Sequence, residues 1–266
     1  MGVICCSPVV WPQPSKYRDV CHCYVSYTLK HYGAGNTVVF DGYNTSSTKA
    51  VEQQRWAKKD TSCNILFDQN MQTTTSQAAF LANHNKERLI QMLSDIMHHS
   101  GILVKQAKAD ADACIISTAL SLAESGKPVV VVGTDTDILV MLVAQATTNM
   151  DVYILCRENP TTLYRVRDIQ DNIGDTSTYL MVLHAITGCD TVSALYRQGK
   201  RKAFNLVHKK DYDSLKNFNS TGSTHQEVQK AGERFILKLY GASSKCVLLD
   251  QLRYKAISRT SLSSSF

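Results

Sequence analysis

Short β-branched runs alternate with helical stretches along most of this chain, and that alternation constrains its fold more than any other feature. Residues 37–40 (Thr-Val-Val-Phe), 102–105 (Ile-Leu-Val-Lys), 128–133 (Pro-Val-Val-Val-Val-Gly), 152–156 (Val-Tyr-Ile-Leu-Cys) and 162–166 read as strands. Helical patterns lie at 15–32, 76–99, 112–125 and 138–146, with Ser15 the expected cap of the first and Gly33 its stop. Residues 48–59 read as a polar helix and 60–75 as a long irregular segment. Strands joined through helices of this length imply right-handed crossovers and a mainly parallel sheet covered on both faces. After Arg167 the pattern turns helical, at 177–187, in short pieces to 210 and at 225–240, before a Ser-rich tail. The expected fold class is therefore α/β, a three-layer α/β/α arrangement followed by a helical C-terminal segment.

In an open parallel sheet, ligands collect beyond the carboxyl ends of the strands. Acidic residues gather there. Asp41 ends the 37–40 strand, Asp110 and Asp112 follow the 102–105 strand, and Asp135 and Asp137 follow the 128–133 strand. A further acid, Asp190, lies in Gly188-Cys-Asp190-Thr191. Carboxylates grouped in one crevice repel one another unless a cation neutralises them, and oxygen-only donors suit hard divalent ions. A lone Asp-x-Asp is more simply a helix cap with a first-turn acid, favourable beside the helix dipole. Two such pairs together with Asp41, all at strand ends, favour a metal site.

Other motifs carry less. Gly33-Ala-Gly35 precedes a strand and lacks a third glycine, and Gly126-Lys127 lacks the upstream glycine of a phosphate loop. His98 and His99 suit a helix end, and His184 suits a packed core. The nine cysteines include Cys21-His22-Cys23 but no second pair at zinc-finger spacing, so buried free thiols in a reducing compartment are favoured over zinc or disulfides. That favours an intracellular protein, with the nucleus as one candidate compartment. The apolar runs 129–132 and 138–144 are too short to span a bilayer, and no membrane partner is expected. A net charge of +6 is compatible with a polyanionic partner.

The ordered blocks Ala-Asp110-Ala-Asp112-Ala, Gly133-Thr-Asp135-Thr-Asp137 and Ile186-Thr-Gly-Cys-Asp190-Thr-Val-Ser193 resemble the internal domain of the flap endonuclease and xeroderma pigmentosum G nucleases, within the PIN-like fold. Val39-Phe-Asp41-Gly42, followed by Lys49 and Arg55, looks like that group's Phe-Asp-Gly strand end and basic helix. The match covers residues 36–205, and is narrower still with PIN-like proteins of animal genomes that share the Gly-Cys-Asp-Thr element. The resemblance implies a structure-selective nuclease in which Asp41, Asp110, Asp112, Asp135, Asp137 and Asp190 surround two Mg2+ or Mn2+ ions. Asp110, Asp112, Asp135, Asp137 and Asp190 are the implied ligands, Lys49 and Arg55 steady the scissile phosphate, and DNA or RNA with single-strand/duplex junctions is the implied partner.

The sequence departs from that group in three ways. An Asp on a first strand is expected, yet nothing before Asp41 supplies it except Asp19, inside an apparent helix. The first acidic pair is Asp where flap endonucleases usually have Glu, one methylene shorter. The paired-glycine helix hairpin that grips duplex DNA is reduced to Gln198-Gly199-Lys200-Arg201-Lys202-Ala203. The expected organisation is thus a truncated helical lead-in at 1–35, a nuclease core at 36–195 and a basic helical region at 196–266. Arg197, Lys200, Arg201, Lys202, Lys209 and Lys210 form an acid-free basic run suited to phosphates rather than merely a solvated face. A catalytically inactive PIN-like binding module is the rival reading, supported by the missing first Asp. A Toprim-like phosphate enzyme is a weaker third, since no convincing catalytic Glu follows a Gly-bearing first strand.

Overall fold

The computed structural model describes residues 2–5, 9–42, 65–81, 85–108, 111–133, 135–157, 160–189, 192–208, 213–242, 248–254 and 258. The chain forms two compact units, Met1–Ile169 and Gln170–Phe266. The sequence pattern alone suggests instead a core running to residue 195.

The first unit is built on a six-stranded sheet of β1 (Gly2–Cys5), β2 (Thr37–Phe40), β3 (Leu103–Gln106), β4 (Val129–Val132), β5 (Val152–Cys156) and β6 (Thr162–Arg165), in the order β3-β2-β1-β4-β5-β6. All neighbours are parallel except β5 and β6, which pair antiparallel. Only residues 157–161 join those two strands, far too few for a parallel crossover. The expected α/β class with a mainly parallel sheet is what forms.

The N-terminal residues require a correction. The chain does not enter only as a helix, because Gly2–Cys5 is a strand at the middle of the sheet. Val3 pairs with Thr37 on one side and Val131 on the other. Asn36 secures this strand: its Oδ1 accepts from the Gly2 N–H at 2.8 Å, and its Nδ2 donates to the Gly33 carbonyl at 3.0 Å and to the Tyr32 carbonyl.

Side-chain alternation then sets the two layers. Val38, Phe40 and Val132 are buried against helices α1 (Tyr17–Tyr32), α2 (Gln77–Leu81) and α3 (Asn85–His99), together with Val20, Tyr24, Phe80, Leu89 and Met97. Val39, Val131 and Ile154 alternate to the opposite face, where α4 (Ala111–Glu124) packs with Ile115, Ile116 and Ala119 buried. Each such fully buried aliphatic side chain contributes roughly 1.5–3 kcal/mol. Helix α5 (Thr136–Gln145) packs beside α4.

Ser15 is not the cap of α1. It is buried, with its hydroxyl 3.4 Å from that of Thr73, and Lys16 takes the cap position with its N–H donated to the Asp19 carboxylate at 3.0 Å. The free N–H groups of the first turn are satisfied elsewhere: Tyr17 donates to the Met71 carbonyl at 3.1 Å and Arg18 to that of Gln69 at 3.0 Å. The irregular segment is thus held by the helix it completes. The helix expected over 76–99 is described as α2 and α3, and the polar helix expected at 48–59 lies outside the described residues.

Helix α6 (Val166–Ile173) leads from β6 into a 3-10 turn (Gly174–Tyr179) and α7 (Leu180–Thr187). Helices α8 (Lys200–His208) and α9 (His225–Leu239), with a 3-10 turn at Asp213–Phe218 between them, follow in the second unit, whose core joins Tyr179, Leu183, Ala203, Val207, Leu215, Phe235 and Leu239. Thr224 caps α9, accepting from the Glu227 N–H at 3.3 Å, while its own N–H and hydroxyl donate to the Glu227 carboxylate at 2.8 Å each. These bonds hold the Glu227 carboxyl below its ordinary value. Among the described residues no helix is long and apolar enough to cross a membrane.

Candidate metal centre and nucleic-acid interface

The strand order fixes where a ligand can sit. The chain runs from β1 outward through β2 and β3, returns to the other side of β1 as β4, and continues outward to β5. The winding therefore reverses between β1 and β4, and the crevice outside their carboxyl ends is the switch point of the sheet. Because β1 to β5 are parallel, the residues following β2, β3 and β4 all emerge at that edge.

Asp41 follows β2 directly. It is half-exposed, and the Lys86 ammonium of α3 stands 3.6 Å from its Oδ2, with the two side chains 36% and 41% exposed. An open pair of this kind adds little stability, about 0–1 kcal/mol. It does supply a cation beside an acidic site. Lys86 has no motif around it in the sequence, so only the folded chain could reveal it.

Gly42 has a structural reason to be glycine. A Cβ there would stand 2.3 Å from the Ala107 carbonyl oxygen and 2.4 Å from the Lys108 carbonyl carbon. Backbone thus touches backbone where β2 ends and the β3–α4 connection begins, and the Ala107 N–H donates to the Phe40 carbonyl at 2.9 Å. This contact sets Asp41 beside the loop leading to the first acidic pair. Asp112 lies half-buried in the first turn of α4, whereas Asp110 lies outside the described residues.

Asp135 is the N-cap of α5. Its backbone is extended (φ −76°, ψ 128°) and its Oδ1 accepts from the Asp137 N–H at 2.9 Å. The capping role is therefore present. It uses one acceptor site of a carboxylate that offers about four, so it does not exclude metal ligation.

The resemblance implies an acid on the first strand, but β1 carries none and ends in Cys5. In register it is level with Val39, two residues before Asp41, and the preceding Ile4 is level with Val132. The first strand is present, and its last residue is a thiol rather than a carboxylate.

Asp41, Asp112, Asp135 and Asp137, which follow β2, β3 and β4, offer carboxylate oxygens, and such donors suit Mg2+ or Mn2+ better than a soft metal. Among the described residues no three His, Cys, Asp or Glu side chains stand close enough together to hold an ion. Asp110, Asp190, Lys49 and Arg55 lie outside the described residues. The Cys21-His22-Cys23 grouping gives no soft site either. On α1 these neighbours point in successive directions around the helix, and burial of Cys21 pushes its thiol up to about 12.

The second unit holds the last acidic block. Gly188 has φ 100°, and a Cβ there would lie 2.4 Å from Ala194 Cα. Cys189 and Val192 exchange two backbone hydrogen bonds of 3.1 Å, and Asp190 and Thr191 between them lie outside the described residues. Lys200, opening α8, donates to the Gly188 carbonyl at 3.0 Å and is half-buried. It therefore anchors this turn rather than standing as an open cation. Arg201 and Lys202 are exposed, as is Arg197, whereas Lys209 and Lys210 lie outside the described residues. Arg197 adopts φ 54°, with its guanidinium 5.1 Å from the Tyr196 ring centroid.

No protein-family model matches the chain, and no curated protein matches it. Among solved structures it is similar to the bacteriophage T5 5′-exonuclease with bound zinc ions, at 14% identity over 90% of this chain and 88% of that one, with a TM-score of 0.48. The catalytic core of Rad2 in complex with a DNA substrate is matched at 14% identity, over 88% of this chain and 70% of that one, with a TM-score of 0.46. Flap endonuclease-1 from Methanococcus jannaschii is matched at 13% identity, over 88% and 77% of the two chains, with a TM-score of 0.46.

Proposed function

We propose that this chain is a divalent-metal-dependent nuclease of the flap-endonuclease type, acting on nucleic acid with single-strand/duplex junctions. The observation that carries this reading is the delivery of acidic residues to one sheet edge by three strands. Asp41 comes from β2, Asp112 from the segment after β3, and Asp135 and Asp137 from β4, all around the switch point. Caps and first-turn acids explain Asp112, Asp135 and Asp137 singly, but not Asp41. They do not explain why Gly42 is required to bring the end of β2 against the β3–α4 connection.

In this reading Asp110, Asp112, Asp135, Asp137 and Asp190 hold two Mg2+ or Mn2+ ions, with Asp41 orienting the set. Bound divalent ions supply a hydroxide nucleophile near neutral pH and Lewis-acid stabilisation of the phosphate. Lys49 and Arg55 steady the scissile phosphate. Arg197, Arg201, Lys202, Lys209 and Lys210 attract the backbone of the substrate, and Lys200 positions the turn that carries Asp190.

A second reading, a nucleic-acid binding module without catalysis, is favoured by Cys5 at the end of the central strand. One assay separates the two. The chain is incubated with 5′-flap, single-stranded and blunt duplex DNA, and with the matching RNAs, in millimolar Mn2+. Cleavage that EDTA and Asp135→Asn both abolish supports the nuclease. Salt-dependent binding with no cleavage of any substrate supports the binding module instead.

A further inference from the structure

Tyr196 is 71% exposed, whereas Tyr179 and Phe235 of the same unit are buried and Tyr240 is half-buried; Tyr254, at 74%, is the other strongly exposed tyrosine among the described residues of this unit. The exposure of Tyr196 is not that of a loose tip. The Tyr196 carbonyl accepts from the Tyr240 hydroxyl at 3.0 Å, and the Gln198 N–H donates to the Leu195 carbonyl at 3.1 Å, closing a turn around it. The next residue, Arg197, is the one non-glycine residue with positive φ among the described residues. Side chains resist that conformation, and such strain persists where function retains it. The turn holds the guanidinium 5.1 Å from the Tyr196 centroid, so a cation covers one side of a ring that remains largely open to solvent.

Around this ring the chain is basic. From residue 194 to 208 there is no acid, while Arg197, Lys200, Arg201 and Lys202 all fall there. Lys200 is committed to the Gly188 carbonyl, which leaves Arg197, Arg201 and Lys202 as the exposed cations of this stretch among the described residues. A fixed, exposed aromatic surface beside phosphate-attracting cations matches the demands of an unpaired nucleobase, which offers a π-face and a charged backbone together. Paired bases within a duplex have no free face to offer.

We propose that Tyr196, backed by Arg197, is a stacking platform for an unpaired base, and so binds the single-stranded part of the substrate. This inference rests on the nucleic-acid reading above and narrows it.

The test is fluorescence anisotropy on the full chain, with an oligo-dT single strand, a blunt duplex, and a duplex carrying a 5′ single-stranded arm. Tyr196→Ala should weaken the single strand and the armed duplex by about tenfold, the worth of one base–aromatic stack, while Tyr196→Phe stays within about twofold of the parent. Blunt-duplex affinity should not change with either variant. Replacing Arg201 and Lys202 by Ala should instead weaken all three ligands and flatten their salt dependence. If Tyr196→Ala weakens the blunt duplex equally, or weakens nothing while the Arg201/Lys202 variant does, stacking is overturned and the nucleic-acid reading stands. In the second case the ring becomes a candidate protein contact. If the parent chain binds none of the three ligands, both readings fall.

Discussion

The Asp135 carboxylate accepts a hydrogen bond of 2.9 Å from the backbone N–H of Asp137, so the two acids of the Gly133-Thr-Asp-Thr-Asp block are locked together by the start of α5. Asn caps helices about as well as Asp. Asp135→Asn should therefore lower stability by no more than about 1 kcal/mol, from the lost charge at the helix N-terminus. If Asp135 also binds metal, the same variant should lose cleavage by roughly a hundredfold or more. Paired thermal melts and cleavage rates decide the matter, and a variant that cuts normally leaves Asp135 with the capping role alone.

Metal linkage gives a second prediction that does not depend on turnover. A ligand that binds only the folded state stabilises it by about 2.7 kcal/mol at a hundredfold excess over its Kd. Mn2+ or Mg2+ at millimolar concentration should raise the melting temperature over that in EDTA, and Asp135→Asn should shrink the increment. Identical melts in EDTA and in either metal would count against any ion at this edge.

Gly42→Ala should destabilise the first unit. The added methyl meets backbone at 2.3–2.5 Å, at Ala107 and Lys108, where no side chain can swing aside. Overpacking of this kind costs about 1–3 kcal/mol and occasionally more. Urea titration should show the midpoint fall, and cleavage at fixed folded fraction should fall further because Asp41 is displaced from the β3–α4 connection. An unchanged midpoint would mean that β2 does not end against that loop in solution.

Much of this architecture was legible in the sequence for a local reason. Strands β2, β4 and β5 are β-branched or aromatic runs bounded by turn residues, and α1, α4 and α5 carry clear helical periodicity. What escaped depends on distant partners. Gly-Val-Ile-Cys is too short to declare itself, and becomes a strand because β2 and β4 flank it on either side. Ser15 has the residue type of a cap, yet Thr73 and a neighbouring backbone segment claimed it and the first turn. Lys86 reaches Asp41 from a helix 45 residues further along the chain. The acidic blocks were readable because each is a short motif at a strand end. The commitment of Lys200 to the Gly188 carbonyl was not, since a basic run gives no sign of which member turns inward.

Arg197→Gly should uncouple stability from binding. Arg197 holds φ 54°, a region where an L-residue loses about 1–2 kcal/mol relative to its ordinary conformations. Glycine adopts it freely but gives up roughly 0.5–1 kcal/mol through greater freedom in the unfolded chain. The balance favours the variant by about 0.5–1 kcal/mol, which should appear as a melting temperature raised by a few degrees. The same change removes the guanidinium from the Tyr196 ring and one phosphate-attracting charge, so single-strand affinity should drop while the fold gains. Melts and anisotropy on the one variant read both effects. A chain that loses stability without Arg197 would show that this side chain supports the turn rather than straining it, and would remove the argument that the conformation is kept for binding.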